Sequence, residues 1–139
     1  MKEKPLLTIL IVDDEPRNRR LLDAFLSADG YTAIHANNGQ EALMLSIDMQ
    51  PSALLLDLMM PDMDGFQVLQ KLKDNPATQA IPVIIVSALD DLAARQRVLA
   101  SGADDFLGKP VDRWELSLRL HRLLHKGEVN ASTGDTHDQ

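Results

Sequence analysis

Apolar residues in this chain gather into five short runs, and between the runs they space out to a helical period. The first run, Leu6–Val12, predicts a strand, and a helix is expected from about Pro16 to Ala28. Pro16 suits a first helical turn, Leu21, Leu22, Phe25 and Leu26 form an apolar stripe, and Gly30 can close the end. A shorter, less apolar strand falls near Thr32–Ala36. Asn38, with Glu41 three residues on, then opens a helix running to about Asp48. Ser52–Leu56 reads as the third strand, and Gly65 to Asp74 as a helix with Phe66, Leu69 and Leu72 on one side. Pro82–Val86 predicts a fourth strand, Asp90–Ala100 a weakly amphipathic helix and Asp104–Leu107 a short fifth strand. Asp112 caps a last helix in which Leu116, Leu120, Leu123 and Leu124 share a face.

Regular β-α alternation with short connections implies a parallel sheet covered by helices on both faces. The first, third and fourth strands are apolar almost throughout and are expected to be central, with the second at an edge. The expected fold is therefore α/β: a doubly wound, flavodoxin-like, five-stranded parallel sheet of order 2-1-3-4-5 with five helices. Ligands of such sheets sit beyond the carboxyl ends of the strands, where the strand order reverses. The folded domain is expected over residues 1–126. Residues 127–139 (GEVNASTGDTHDQ) are polar and are expected to form a disordered tail or the start of a linker.

Composition narrows the function classes. With 139 residues, 45% of them hydrophobic, the chain fits one soluble domain, and no apolar stretch nears the ~20 residues of a membrane helix. No signal-peptide pattern opens it, so a cytoplasmic location is expected. A formal net charge of −7 argues against binding nucleic acid through its phosphates and is compatible with a cation site. Without cysteine, thiolate chemistry and disulfides are excluded.

The polar residues that matter lie at strand exits. Asp13 and Asp14 follow the first strand, Asp57 the third, Ser87 the fourth and Lys109 the fifth. An Asp at a strand exit is commonly a cap or turn former. Four strands delivering polar groups to one end of a sheet point instead to a site. Three neighbouring carboxylates repel one another and call for a cation, and oxygen ligands with retained water suit Mg²⁺. A carboxylate held there can act as a nucleophile toward phosphorus, and the Ser87 hydroxyl and Lys109 ammonium can stabilise the phosphoryl oxygens. The set predicts phosphoryl transfer to Asp57.

Four stretches carry this set in order: Ile-Val-Asp13-Asp14-Glu, Leu-Leu-Leu-Asp57-Leu-Met-Met-Pro-Asp-Met-Asp-Gly65, Val-Ser87-Ala and Gly-Lys109-Pro110. They resemble the receiver domain of two-component response regulators, and the resemblance spans about Leu6 to Leu124. It implies that Asp57 accepts phosphate from a phosphohistidine on a sensor histidine kinase or histidine phosphotransfer protein. It implies a Mg²⁺ site of Asp13, Asp14, Asp57 and the backbone carbonyl of Met59. Ser87 and Phe106 would be a switch pair, the ring following the hydroxyl inward, and Lys109-Pro110 a cis peptide. Ser stands at 87 where Thr is commoner in the family, and Phe rather than Tyr at 106. Such a domain is a signalling module, not an enzyme with a separate substrate. It controls an effector through the fourth helix, fifth strand and fifth helix, with no direct contact to nucleic acid or membrane.

Three further surfaces follow. Trp114, Leu118, His121 and His125 make a second stripe on the last helix, read either as a phosphorylation-dependent homodimer or effector patch or as a partly covered flank. Arg17, Arg19 and Arg20 are placed for kinase docking, or form an ordinary solvated face. Met59 and Leu89, two residues past Asp57 and Ser87, are expected to hinder the attacking water and give an aspartyl phosphate of intermediate to long lifetime. Alternative roles are a stand-alone phosphorelay shuttle, a regulatory piece of a longer effector, or a Mg²⁺-dependent aspartyl-phosphate phosphatase of the haloacid dehalogenase type. The last wants an acid at position 59, which is Met. A flavodoxin-type cofactor binder would want a phosphate cradle after the first strand, where Asp13-Asp14-Glu15 repels phosphate.

Overall fold

The computed structural model describes residues 7–88 and 91–125. Its elements are β1 (Thr8–Val12), α1 (Pro16–Ala28), β2 (Thr32–Ala36), α2 (Gly39–Met49), β3 (Ala53–Leu56), α3 (Gly65–Asp74), β4 (Val83–Ser87), α4 (Leu92–Ala100), β5 (Asp105–Gly108) and α5 (Arg113–Leu124). The strands pair in parallel in the order β2-β1-β3-β4-β5. The chain leaves β1 toward β2 on one side and returns to β3 on the other, so the order reverses between β1 and β3. The expected α/β architecture is the one found.

Period-two alternation in the strands divides the core into two layers. Leu10, Val12, Leu54, Leu56, Val83, Ile85 and Phe106 face α2, α3 and α4, meeting Ala42, Val68, Leu69, Leu72 and Val98. Ile9, Ile11, Leu55, Ile84, Val86 and Leu107 face α1 and α5, meeting Leu22, Leu26, Leu116 and Leu120. Strands β1, β3 and β4 are buried almost throughout because both their faces are covered.

Short polar side chains start α2, α3, α4 and α5, whereas α1 opens on Pro16 without a side-chain cap. Asn38 accepts the amide of Glu41, while Glu41 reaches back to the amide of Asn37, one residue before the cap. Asp64 and Gln67 form a reciprocal capping box on α3. Asp91 and Asp112 cap α4 and α5.

The boundaries shift in ways the sheet explains. β4 starts at Val83 and extends to Ser87, since Ser87 registers with Gly108 on β5; Ser87 is the last strand residue, not the first after it. β5 begins at Asp105, because Asp104 turns its carboxylate onto the amide of Val83 at 2.8 Å. Leu21 departs from its expected stripe: it is 47% exposed, at the margin of an arc whose buried members are Leu22 and Leu26. Leu6, Asp90 and Lys126 lie outside the described residues, as does the expected tail.

The Asp104 contact gives a local prediction. Asp104→Ala leaves the amide of fully buried Val83 without its partner, which costs about 1–2 kcal/mol. A lower urea midpoint with an unchanged slope checks it.

Candidate metal and phosphoryl site

Asp13, Asp57 and Lys109 are each held through their backbone at a strand end. The amide of Asp13 bonds the Ala36 carbonyl at 3.2 Å, which carries the β1–β2 ladder one residue past the strand. The amide of Asp57 bonds the Val12 carbonyl at 3.0 Å, and that of Lys109 bonds the Ser87 carbonyl at 3.0 Å. The sheet thereby delivers two acids and a lysine to the same edge.

Carboxylate oxygens of Asp13, Asp14 and Asp57 lie within 4.8 Å of one another. Asp13 and Asp57 are buried, at 2% and 5% exposure, whereas Asp14 is exposed. Lys109 Nζ donates to Asp13 Oδ2 at 3.0 Å and sits 3.6 Å from Asp57 Oδ2. The other Asp13 oxygen accepts the Glu15 amide at 2.9 Å, and Asp57 Oδ1 accepts the Met59 amide at 3.3 Å.

Burial above all, helped by the charges of Asp13 and Asp14 and opposed by the Lys109 ammonium and the Met59 amide, pushes the Asp57 carboxyl up to about 6. Desolvation outweighs the lysine. The three carboxylates oppose one ammonium, leaving two formal negative charges in a partly dry pocket. A divalent cation balances that charge, and an all-oxygen donor set suits Mg²⁺. The residues present fit the ion.

The other expected site residues fall as follows. Ser87 is fully buried at the end of β4. Phe106 lies on β5 at 2% exposure, so its ring is already inside, and the Arg95 guanidinium stands 4.9 Å from the ring centroid. The Lys109-Pro110 bond is cis. Met59 follows Asp57 by two residues with its side chain 61% exposed; Leu89 lies outside the described residues.

The arginine cluster is not three equivalent groups. Arg17 and Arg20 are exposed, but Arg19 donates to the Asp13 carbonyl at 2.6 Å and so ties α1 to the acid loop.

Gly65 was missing from the expected site and belongs to its frame. Its amide bonds the Leu58 carbonyl at 2.9 Å, folding the loop after β3 back onto itself. A Cβ there would collide with the Asp57 carbonyl oxygen and lie 2.7 Å from Leu58 Cα. The Asp64-Gly65 pair at a helix start was the available signal, since a glycine at a first helical position asks what approaches it so closely.

The chain matches the family described as response regulator receiver domain over residues 9–121. Response regulator PleD of Caulobacter vibrioides is 48% identical over 115 residues, covering 83% of this chain and 25% of PleD. Transcriptional regulatory protein SrrA of Staphylococcus aureus is 42% identical over 118 residues, covering 85% of this chain and 48% of SrrA. The chain thus spans less than half the length of either relative. Among solved structures, a putative response regulator from Chloroflexus aurantiacus superposes with a TM-score of 0.82 at 32% identity, covering 86% of this chain and 98% of the other. Chemotaxis protein CheY4 of Vibrio cholerae gives 0.81 at 26% identity, covering 86% and 100%.

Proposed function

The chain belongs to the response regulator receiver domain family, and from that premise we propose that it accepts a phosphoryl group on Asp57 and passes the change to an effector. One observation carries the reading: Asp13, Asp14 and Asp57 converge within 4.8 Å with the Lys109 ammonium against two of them.

The donor is a phosphohistidine on a histidine kinase or phosphotransfer protein. An Asp57 carboxylate oxygen attacks phosphorus, the P–N bond breaks, and its electron pair returns to the imidazole. Asp13, Asp14, Asp57 and the Met59 carbonyl would hold Mg²⁺, which when bound supplies positive charge to the phosphoryl oxygens. Lys109 sits where its ammonium can leave Asp57 for a phosphoryl oxygen, and the Ser87 hydroxyl supplies a second donor. Phe106 on β5 registers with Ile85 on β4, two residues before Ser87, so hydroxyl and ring are diagonal neighbours and a shift of the first changes what the second packs against.

Output is assigned to the face of α4, β5 and α5. Leu92 and Leu99 on α4, and Trp114 and Leu118 on α5, are 47–70% exposed there. Exposed apolar groups of this size mark a surface that another protein covers. Among the described residues no helix is long and apolar enough to cross a membrane.

Radiolabelled acetyl phosphate tests the proposal. Label is expected to accumulate with Mg²⁺ and to fall at least ~100-fold when the ion is chelated. Incorporation at the same rate in chelator would remove the metal from the account.

A further inference from the structure

We infer that the outward face of α2, with the loop after β3 at its N-terminal end, is a docking groove for a basic amphipathic helix of another protein. The inference does not depend on the reading of Asp57. Ile47 follows Leu43 by four residues and Met44 by three, so the three form one stripe along the helix. Met44 is 54% and Ile47 47% exposed, with Leu43 half-buried beside them. The stripe lines an open cavity of about 530 Å³ together with Asn38, Gln40 and Glu41. A second cavity of about 360 Å³ shares Asn38 and Gln40 with it and ends on Pro61, Asp62 and Met63. The two are one continuous groove. The 11 residues of α2 span about 16 Å, room for three turns of a second helix laid along it.

Charge selects the occupant. Residues 21–70, which supply α2 and that loop, hold seven acids and no lysine or arginine. Elsewhere fourteen acids face fourteen lysines and arginines, so the whole formal charge of −7 resides in this one stretch. Glu41 and Asp48, seven residues apart, flank the apolar stripe on one side, and exposed Asp62 stands at its end. The exposed apolar surface on α4 and α5 differs, since it carries exposed Arg97 and Arg122 and so asks for another kind of partner.

A second copy placed groove to groove would bring two acidic faces together, which like-charge repulsion opposes. Nucleic acid and anionic membrane are repelled for the same reason. A helix with an apolar stripe and cations beside it satisfies both features of the groove. Methionine suits such a surface, because its flexible thioether adapts to the side chains it meets.

The test titrates the full chain, without Mg²⁺ or a phosphodonor, into a fluorescein-labelled amphipathic helical peptide of leucine and lysine. Saturable binding at one peptide per chain, weakening as NaCl is raised, is the expected result. The same peptide with glutamate in place of lysine should not bind. Met44→Gln combined with Ile47→Gln should weaken the lysine peptide at least ~10-fold, because the stripe is lost and the charge kept. Asp48→Asn combined with Asp62→Asn should weaken it by ~3-fold or more. Leu92→Gln combined with Leu118→Gln, on α4 and α5, should bind as wild type. Wild-type affinity in the Met44 and Ile47 variant, or loss in the Leu92 and Leu118 variant instead, would overturn the proposal. So would a wild-type dimer in sedimentation that the Met44 and Ile47 variant lacks, since a second copy would then cover the face. All six substituted side chains are exposed, and an unaltered urea midpoint confirms that each variant is folded.

Discussion

Asp57→Asn is expected to cut phosphoryl incorporation by at least ~10³-fold and, in the same molecule, to make the unphosphorylated domain more stable at neutral pH. An amide is no nucleophile toward phosphorus and a poor ligand for Mg²⁺, so the first effect follows from losing the attacking oxygen. The second follows from the surroundings of the carboxylate. The folded protein holds the Asp57 proton up to about pH 6, whereas an unperturbed Asp releases it near 3.8. Protonated Asp57 therefore favours the fold: that contribution is full below 3.8 and is lost as pH rises through 6.

The shift corresponds to roughly 2–3 kcal/mol in wild type between the two ends of that window. Asn carries no charge at any pH and avoids the cost. Denaturation in chelator should show the variant gaining on wild type as pH rises from 4 toward 6, with a plateau above. Mg²⁺ should narrow the gap by binding wild type more tightly. A variant less stable than wild type at pH 8 would mean that Asp57 is held by favourable contacts rather than stranded among like charges.

Gly65→Ala is expected to destabilise the domain by about 3 kcal/mol or more, against the sign that helix propensity gives. In an open helix, alanine is better than glycine by ~1 kcal/mol. Here the new methyl meets the Asp57 carbonyl oxygen and Leu58 Cα, which are backbone atoms of the loop after β3. No rotamer change relieves such a contact. Either α3 moves off the sheet or the Asp57 peptide shifts, and the second outcome also displaces the nucleophile.

Gly39→Ala is the matched comparison. A methyl there meets Met63 Sδ and Val68 Cγ2 at 2.8 Å, both side-chain atoms, and the thioether can turn away. Its cost should be nearer 1 kcal/mol. Urea midpoints of the two variants, with phosphoryl incorporation measured on whatever remains folded, separate the effects. Equal, small losses at both positions would show that the loop yields more easily than its geometry implies.

Much of the fold was legible because it depends on period alone. The continuous apolar strands are buried on both faces, and the shorter, more polar β2 lies at an edge, so hydrophobicity reported layer position directly. Asp13, Asp14, Asp57, Ser87 and Lys109 could be placed at one end because parallel strands present the same terminus to that end. What stayed hidden depends on distances across the chain.

Leu21 keeps the helical spacing of its stripe but lies past the edge of what the sheet covers, and spacing carries no information about that edge. Arg19 looked like one of three free cations until the Asp13 carbonyl came within reach of it. The strand limits at Ser87 and Asp105 were set by partners in neighbouring strands, which local patterning does not contain. Gly65 was visible as a turn residue, but its reason was a peptide eight positions earlier.

Chemical trapping tests the central claim most directly. Protein incubated with acetyl phosphate and Mg²⁺ is reduced with borohydride, which converts an acyl phosphate on aspartate into homoserine, and the peptides are then sequenced by mass spectrometry. Conversion at position 57, absent without Mg²⁺, is the result the account predicts. Homoserine at Asp13, Asp14 or Asp62 instead, or none anywhere in a folded sample, would contradict it.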